Sequence, residues 1–473
     1  MLFHSIEFFT LLIITVILFY SFKSKRKYIL AIANILFYAA SGFNYLILFL
    51  IVAFISYYAA KRIDKRYGNI YFYIAIIINV TNLVFFKYTG FILKNMSRFF
   101  AISFPWENEL MAKLILPVGI SFYTFQLIAY IVDVKRKEIE PCDNFIKFWV
   151  FIGFFGQLIA GPIMRGKEFL PQITNVGSSK LRLQNFKYGI TYILMGLAKK
   201  IIFADFLAEK ADYYFGQINN LTFLDGWFAA YLFAFQIYFD FSAYSEIALG
   251  IGYLFGFKLR LNFKSPYISG SSTEFWRRWH ITLSSWIKDY IYIPLGGSRK
   301  GFIPQLLFLT LAMMISGLWH GAAWTFIIWG AYHGLLAAGH KVYVRFLRKK
   351  NINLKNNIIY KLITIFVYFQ LTTIGWVFFR ADSFTNAIEL IKRMLNPSYI
   401  HYSPVYIFYF AFIAGLYLIH VIEYYVRENG VKIGQIWEAR VPAFIRAGAY
   451  IAILFILVLF TKTQQSSFIY FQF

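Results

Sequence analysis

The chain has 473 residues, 59% of them hydrophobic and 22% aromatic, with a mean hydropathy of +0.58. Soluble globular proteins are usually about 45–50% apolar, so this composition excludes an ordinary soluble enzyme, and the continuous apolar runs lack the alternation of a transmembrane β-barrel. Lys and Arg number 47 against 22 Asp and Glu, a formal charge of +25, but the cations sit in short blocks between apolar runs, as cytosolic loops do, which argues against a nucleic-acid partner.

The apolar stretch 8–22 has no positive flank before it and no small-residue cleavage site, so it reads as a retained first span rather than a signal peptide. The block KSKRK (23–27) follows at once and, by the positive-inside rule, puts the N-terminus outside and the block in the cytosol. Spans 28–40 and 45–60 are joined by the uncharged turn SGFN, and KRIDKR (61–66) returns to the cytosol. Span 70–93 leads out toward the acidic PWENEL (105–110), and 114–132 comes back to Lys135, Arg136 and Lys137. Cys142 is the one cysteine, so no intrachain disulfide can form.

Residues 145–164 are long enough to span but contain Gly153, Gly156, Gly161 and Pro162, and Arg165, Lys167, Lys180, Arg182 and Lys187 follow. With cations on both flanks the segment reads as re-entrant, which requires protein or a water-filled cavity around its freed backbone groups. Spans 186–204 and 226–241 come next, the second running into QIYFDFSAYSEIALGIGY (236–253) with Asp240 and Glu246. The stretch 258–301, rich in cations and carrying Trp276, Trp279 and Trp286, is too polar to span and too aromatic for a loop, so it is expected in, or dipping into, the cytosolic interface. A long apolar run at 302–332, a basic cytosolic region at 341–361, and spans 363–379, 405–425 and 444–460 complete the chain. The expected architecture is an all-α polytopic membrane protein with about eleven transmembrane helices plus re-entrant or interfacial ones. It forms a single integral membrane domain over 1–473, since no polar segment approaches the roughly 50 residues a soluble domain needs.

His320 lies in GLWHGAAW (317–324), inside the 302–332 run, where an ionisable side chain must be buried against protein or do work. Read as one helix, Ser316, His320 and Trp324 share a face, and Gly317 and Gly321 form a GxxxG pair for close helix approach. A packing seam with a structural histidine explains this local pattern equally well. In EFWRRWHITLSSWIKDYIYIPLGG (274–297), Trp276, His280 and Ser284 would share a helix face with Arg277 alongside. That grouping suits an anionic ligand, although an interfacial helix whose cations meet lipid phosphates is the reading the local residues favour. Asp240 and Glu246 are expected to pair with arginines such as Arg277, Arg278 or Arg380. His333, His340, His401 and His4 are weaker candidates. Zinc-hydrolase, P-loop and serine-hydrolase chemistry lack their motifs: HExxH, paired cysteines, GxxxxGK[ST] and GxSxG do not occur.

FWRRWH followed by YIPLGG, then LWHGA with its histidine forty residues after the first, together with QIYFDFSAYS upstream and GWVFFRA (375–381) downstream, is an ordered set. It resembles the membrane-bound O-acyltransferase family, in its bacterial polysaccharide O-acetylation branch, most strongly over the core 114–381. Tyr332 in WGAYHG stands where the family pattern leads one to expect Trp. The resemblance implies tilted helices around a central tunnel, a catalytic His320, and a second functional histidine at His280. Arg277, Arg278, Trp279, Trp319 and Lys288 would support donor binding, with no metal and no tightly bound cofactor. The donor would be a cytosolic thioester such as acetyl-CoA, and the acceptor would be reached from the outer face of the cell inner (cytoplasmic) membrane, with an extracytoplasmic acetyltransferase as partner and membrane lipid around the protein. Neutral His320 would act as general base, or an acyl-histidine would form. D-alanyl or lipid O-acyl transfer are competing activities, and a transporter or flippase lined by the broken segments is the competitor from another class.

Overall fold

The computed structural model describes residues 3, 5–102, 104, 106, 109–111, 114–159, 161–178, 182–354, 356–461 and 468–469, and among them every regular element is helical. His4, Lys180 and, within PWENEL, Pro105, Glu107 and Asn108 lie outside the described residues. The chain forms two compact units, Met1–Met195 with Tyr244–Arg260, and Gly196–Ala243 with Leu261–Phe473.

The first unit contains α1 (Ile6–Ser21), α2 (Arg26–Ala39), α3 (Phe43–Arg62), α4 (Gly68–Phe100), α5 (Ile120–Lys135), α6 (Phe145–Gly153), α7 (Gly166–Thr174) and most of α8 (Leu183–Ala198). Ser5 starts α1 by accepting a hydrogen bond from the Phe8 amide. The SGFN turn holds Gly42 at φ +131°, a region open to glycine because it has no Cβ. In the KSKRK block Lys23 and Lys25 are exposed, but Arg26 is not. Arg26 is 1% exposed, and its guanidinium donates to the carbonyls of Phe19 (2.9 Å) and Val176 (3.0 Å). The first of these is among the last carbonyls of α1, which have no partner within the helix.

The 145–164 segment is broken, as its glycines imply. With nine residues, α6 is about 14 Å long, too short for a hydrocarbon core of about 30 Å. Described residues 148–166 are all buried, and side chains take up backbone groups at the break. The Phe155 amide donates to Asn34 Oδ1 at 3.1 Å, and Gln157 Nε2 donates to the Phe151 carbonyl at 2.9 Å. Irregular backbone at membrane depth is tolerated under such cover.

The second unit contains α9 (Asp205–Phe215), the first part of α10 (Phe223–Leu254), α11 (Ser272–Arg278), α12 (Ile281–Ile287), α13 (Phe302–His320), α14 (Trp324–Lys349), α15 (Ile358–Arg380), α16 (Phe384–Leu395) and α17 (Val405–Glu428), followed by helices Gly430–Arg440 and Ala443–Phe460. Three expectations change here. The 302–332 run is not one span. A continuous helix of that length would reach about 46 Å, half as long again as the bilayer core. Instead α13 ends at His320, Gly321 is extended, and α14 begins at Trp324. The two helices form a hairpin whose seam is made of glycine. A Cβ on Gly317 would lie 2.1 Å from the Phe326 carbonyl oxygen, and one on Gly330 would lie 2.3 Å from that of Met313. The close approach expected of the GxxxG pair therefore exists, with α14 as the partner and Gly330 as a further contributor, while Gly321 lies in the turn. Trp324, expected on a face with His320, is half exposed at the start of the next helix.

The 258–301 stretch does not keep all of its polar and aromatic residues at a surface: Asn262, Phe263, Trp279, His280 and Trp286 are buried in protein. Span 186–204 also ends early: α8 passes into a π turn, Lys199–Ala204, that carries two buried lysines. Such single π turns are common at functional positions.

Among the described residues, six helices are long and apolar enough to cross a bilayer: α3, α4, α13, α15, α17 and Ala443–Phe460. The bent pair Ile6–Ser21 and Lys23–Ala39, at 117°, would make a seventh. The expected number of about eleven included shorter or more polar helices, such as the 16-residue α5. The protein is a multi-pass membrane protein.

Candidate active site

His320 is the last residue of α13 and is 4% exposed. A positive charge formed on its ring therefore meets the negative, carbonyl end of the helix. Its ring centroid lies 4.9 Å from Trp319, 5.1 Å from Trp329 on α14, 5.2 Å from Phe379 on α15 and 6.5 Å from His280. The hairpin puts Trp319 and Trp329 on either side of the imidazole, and the glycine seam brings the helix carrying Trp329 close enough to touch it.

His280 does not share a continuous helix face with Trp276 and Ser284. The chain breaks there into α11 and α12, and His280 sits between them at φ 40°, ψ 55°. A left-handed residue other than glycine persists only where its surroundings hold it. Asn262 does the holding: its carbonyl accepts from the Ile281 amide at 2.9 Å, and its Oδ1 accepts from the Thr282 hydroxyl at 2.6 Å. The ring, 0% exposed, lies edge-on to Phe241 at 4.6 Å and is 5.9 Å from Trp319. Two histidines forty positions apart thus lie in one cluster of aromatic rings.

Of the other residues singled out from sequence, only Trp319 joins them directly. Trp279 is 1% exposed and packs one layer back, against Trp376 at 4.7 Å and Phe263 at 5.1 Å. Arg278 is tied down: its Nε donates to Glu274 at 3.0 Å, and its Nη1 donates to the Lys264 carbonyl at 3.0 Å. Arg277 and Lys288 are exposed. They offer charge at the surface near α11 and after α12, not contact with the histidines.

Asp240 also pairs differently from expectation. Asp240 meets Lys200 at 2.7 Å, not an arginine, and Lys200 also reaches Asp205 at 2.9 Å. Arg380 is engaged by Asp212 at 2.6 Å. The preceding Lys199 meets Glu423 on α17 at 2.8 Å, and Glu423 also accepts from Arg427 at 2.8 Å and from the Tyr238 hydroxyl at 2.7 Å. Glu423, Asn262 and His420, whose Nε2 accepts from the Tyr267 amide at 3.1 Å, were not singled out from sequence. Neither was Trp329. Trp376 and Phe379 were present only within the quoted GWVFFRA. Helical spacing places Glu423 three residues after His420, a signal that marks both as facing protein.

The profile of the membrane-bound O-acyltransferase family (MBOAT) matches residues 43–381. The chain belongs to the membrane-bound O-acyltransferase family. The matched region contains both histidines, the glycine hairpin and the π turn of this O-acyltransferase. The enzyme is 36% identical over 395 residues to a peptidoglycan O-acetyltransferase of Helicobacter pylori, covering 78% of this chain and 73% of that protein. It is 37% identical over 376 residues to the probable alginate O-acetylase AlgI of Pseudomonas aeruginosa, covering 78% and 70%. A teichoic acid D-alanyltransferase of Bacillus subtilis is 27% identical over 340 residues, covering 70% and 83%.

Proposed function

We propose that this acyltransferase moves an acetyl group from a cytosolic thioester, acetyl-CoA, to a hydroxyl of an extracytoplasmic polysaccharide or peptidoglycan. His320 takes the proton of the attacking hydroxyl, a contribution typically worth about 10² to 10⁴ in rate. His280, 6.5 Å away between ring centroids, orients the donor. The exposed cations Arg277 and Lys288 draw the anionic donor toward the site, whereas Arg278, Trp279 and Trp319 shape it. The observation that carries this reading is the meeting of two buried histidines from separate motifs in one cluster of aromatic rings. The higher identity to the two O-acetylating relatives, 36% and 37% against 27% for the D-alanyl one, favours acetyl.

The protein resides in the cytoplasmic membrane with its N-terminus outside, and an extracytoplasmic transferase completes delivery to the polymer. Supplying labelled acetyl-CoA to membranes tests the reading. Wild-type membranes should place label on an external polymer, and His320→Ala should reduce this by at least about 100-fold while the inserted protein keeps its thermal midpoint. Undiminished transfer by His320→Ala removes the assignment.

A further inference from the structure

We propose that the rings of His333, Trp276 and Trp329 form a hydrogen-bonding site for the carbonyl oxygen of the acyl donor, an inference that rests on the acyl-transfer reading above. Helices α11 and α14 lie side by side, with the Thr273 hydroxyl 3.2 Å from His340 Nδ1. Further along the same contact, Trp276 reaches His333 at 5.3 Å and Trp329 at 5.8 Å, and Trp329 and His333 are 4.9 Å apart. Three nitrogen-bearing rings are therefore in mutual contact. Trp329 also touches His320 at 5.1 Å, so the cluster borders the reacting centre.

His333 is 0% exposed. Among the described residues, neither of its ring nitrogens has a hydrogen-bond partner, and neither do the indole nitrogens of Trp276 and Trp329. A neutral imidazole has one donor and one acceptor and an indole has one donor, so the cluster holds three N–H donors and one acceptor. Native proteins pair their buried polar groups, and each exception asks for an explanation. Packing alone does not require the nitrogens. Phe275 stacks on His333 at 6.0 Å with ring planes 7° apart, a contact a phenyl ring would make equally well. On the opposite side Gly375 of α15 approaches Nε2 so closely that a Cβ would lie 2.7 Å from it, so glycine there keeps a side chain off that nitrogen. Half-buried Trp276 adjoins exposed Arg277, which connects the cluster to the cationic surface.

Buried donors without acceptors among the described residues suit an oxygen that becomes negative during reaction. In acyl transfer the acceptor oxygen bonds to the thioester carbon and the carbonyl electrons move onto oxygen, where these N–H groups hold them. As the carbonyl reforms, the carbon–sulfur bond breaks and the thiolate leaves. The hydroxyl proton passes to His320 and then to the thiolate, giving ester and thiol.

His333→Phe keeps the stacked ring and removes both nitrogens. Its thermal midpoint in detergent should be unchanged or higher, since an apolar ring replaces buried groups that lack partners. Its kcat for transfer from acetyl-CoA should nevertheless fall about 100-fold, with KM for acetyl-CoA rising by no more than about tenfold. Wild-type protein should bind acetyl-CoA about tenfold more tightly than S-ethyl-CoA, a thioether without the carbonyl, and His333→Phe should bind the two alike. An undiminished kcat overturns the inference. So does a clearly lower midpoint, which would show that the nitrogens are bonded within the protein; this arm needs no donor. Wild-type protein that transfers acetyl while binding both analogues alike overturns the carbonyl site and leaves the acetyl reading standing. Failure of wild type to transfer acetyl overturns that reading and, with it, the donor named here.

Discussion

Within the second unit, the π turn and the His333 cluster bury polar groups to opposite ends. At the π turn, Lys199 and Lys200 each meet a carboxylate within 3 Å, and Glu423 collects Lys199, Arg427 and Tyr238 at once. At the cluster, the nitrogens of His333, Trp276 and Trp329 meet no protein partner among the described residues. Geometry separates the two cases. The π turn widens the backbone so that consecutive lysines reach carboxylates on different helices, Glu423 on α17 and Asp240 on α10. The cluster instead sets its rings edge to face, with its nitrogens unmet by the described residues. A satisfied ionic network specifies and holds a structure, whereas unsatisfied donors store binding capacity at the expense of stability.

Glu423→Gln tests that contrast most severely. It strips the shared carboxylate from two buried cations and should destabilise the protein by about 3–5 kcal/mol, seen as a large fall in thermal midpoint. Replacing the whole triad (Lys199→Met, Glu423→Leu, Arg427→Met) should recover most of that loss, because an apolar substitute for a buried ion triad is often neutral or better. If the single and triple variants fall equally, the network is not held by charge pairing.

Gly330→Ala gives an intermediate effect by prying the α13–α14 hairpin apart. Its Cβ would lie 2.3 Å from the Met313 carbonyl oxygen, a backbone atom that cannot rotate away. Overpacking of this kind costs about 1–3 kcal/mol. Because Trp329 precedes the substituted position and touches His320, acyl transfer should fall further than stability accounts for; a fall matching the unfolded fraction would make the seam purely structural.

The smallest effect belongs to an exposed pair in the first unit. Lys167 donates to Glu138 at 2.8 Å, with the two side chains 48% and 38% exposed, and this hydrogen bond holds the Glu138 carboxyl below its ordinary range. A lowered folded value contributes stability above the unfolded carboxylate range, and that stability is lost as pH falls through the lowered folded value. Water screens so open a pair, so Glu138→Gln should cost about 0–1 kcal/mol near neutral pH and nothing at low pH. A midpoint shift as large as that of Glu423→Gln would erase the distinction between exposed and buried pairing.

The sequence by itself determined the solvent, the helical class and the two histidine motifs. Long apolar runs have one stable form in lipid, since helices satisfy their own backbone groups, and the glycines and proline of 145–164 announced a break because they weaken a helix locally. These are properties of neighbouring residues. Contacts between distant ones were out of reach. Local spacing drew GLWHGAAW as one helix, whereas the length of the 302–332 run and its packing turned it into a hairpin with His320 at the bend. Spacing likewise drew RRWHITLSS as one helix face, although Asn262, about twenty residues earlier, holds His280 in a left-handed break. Lysine as the partner of Asp240, and His333 as a ring whose nitrogens have no hydrogen-bond partner among the described residues, follow from which helices meet. Burial and pairing are set by the surroundings a side chain finds after folding, and only the tertiary structure supplies those.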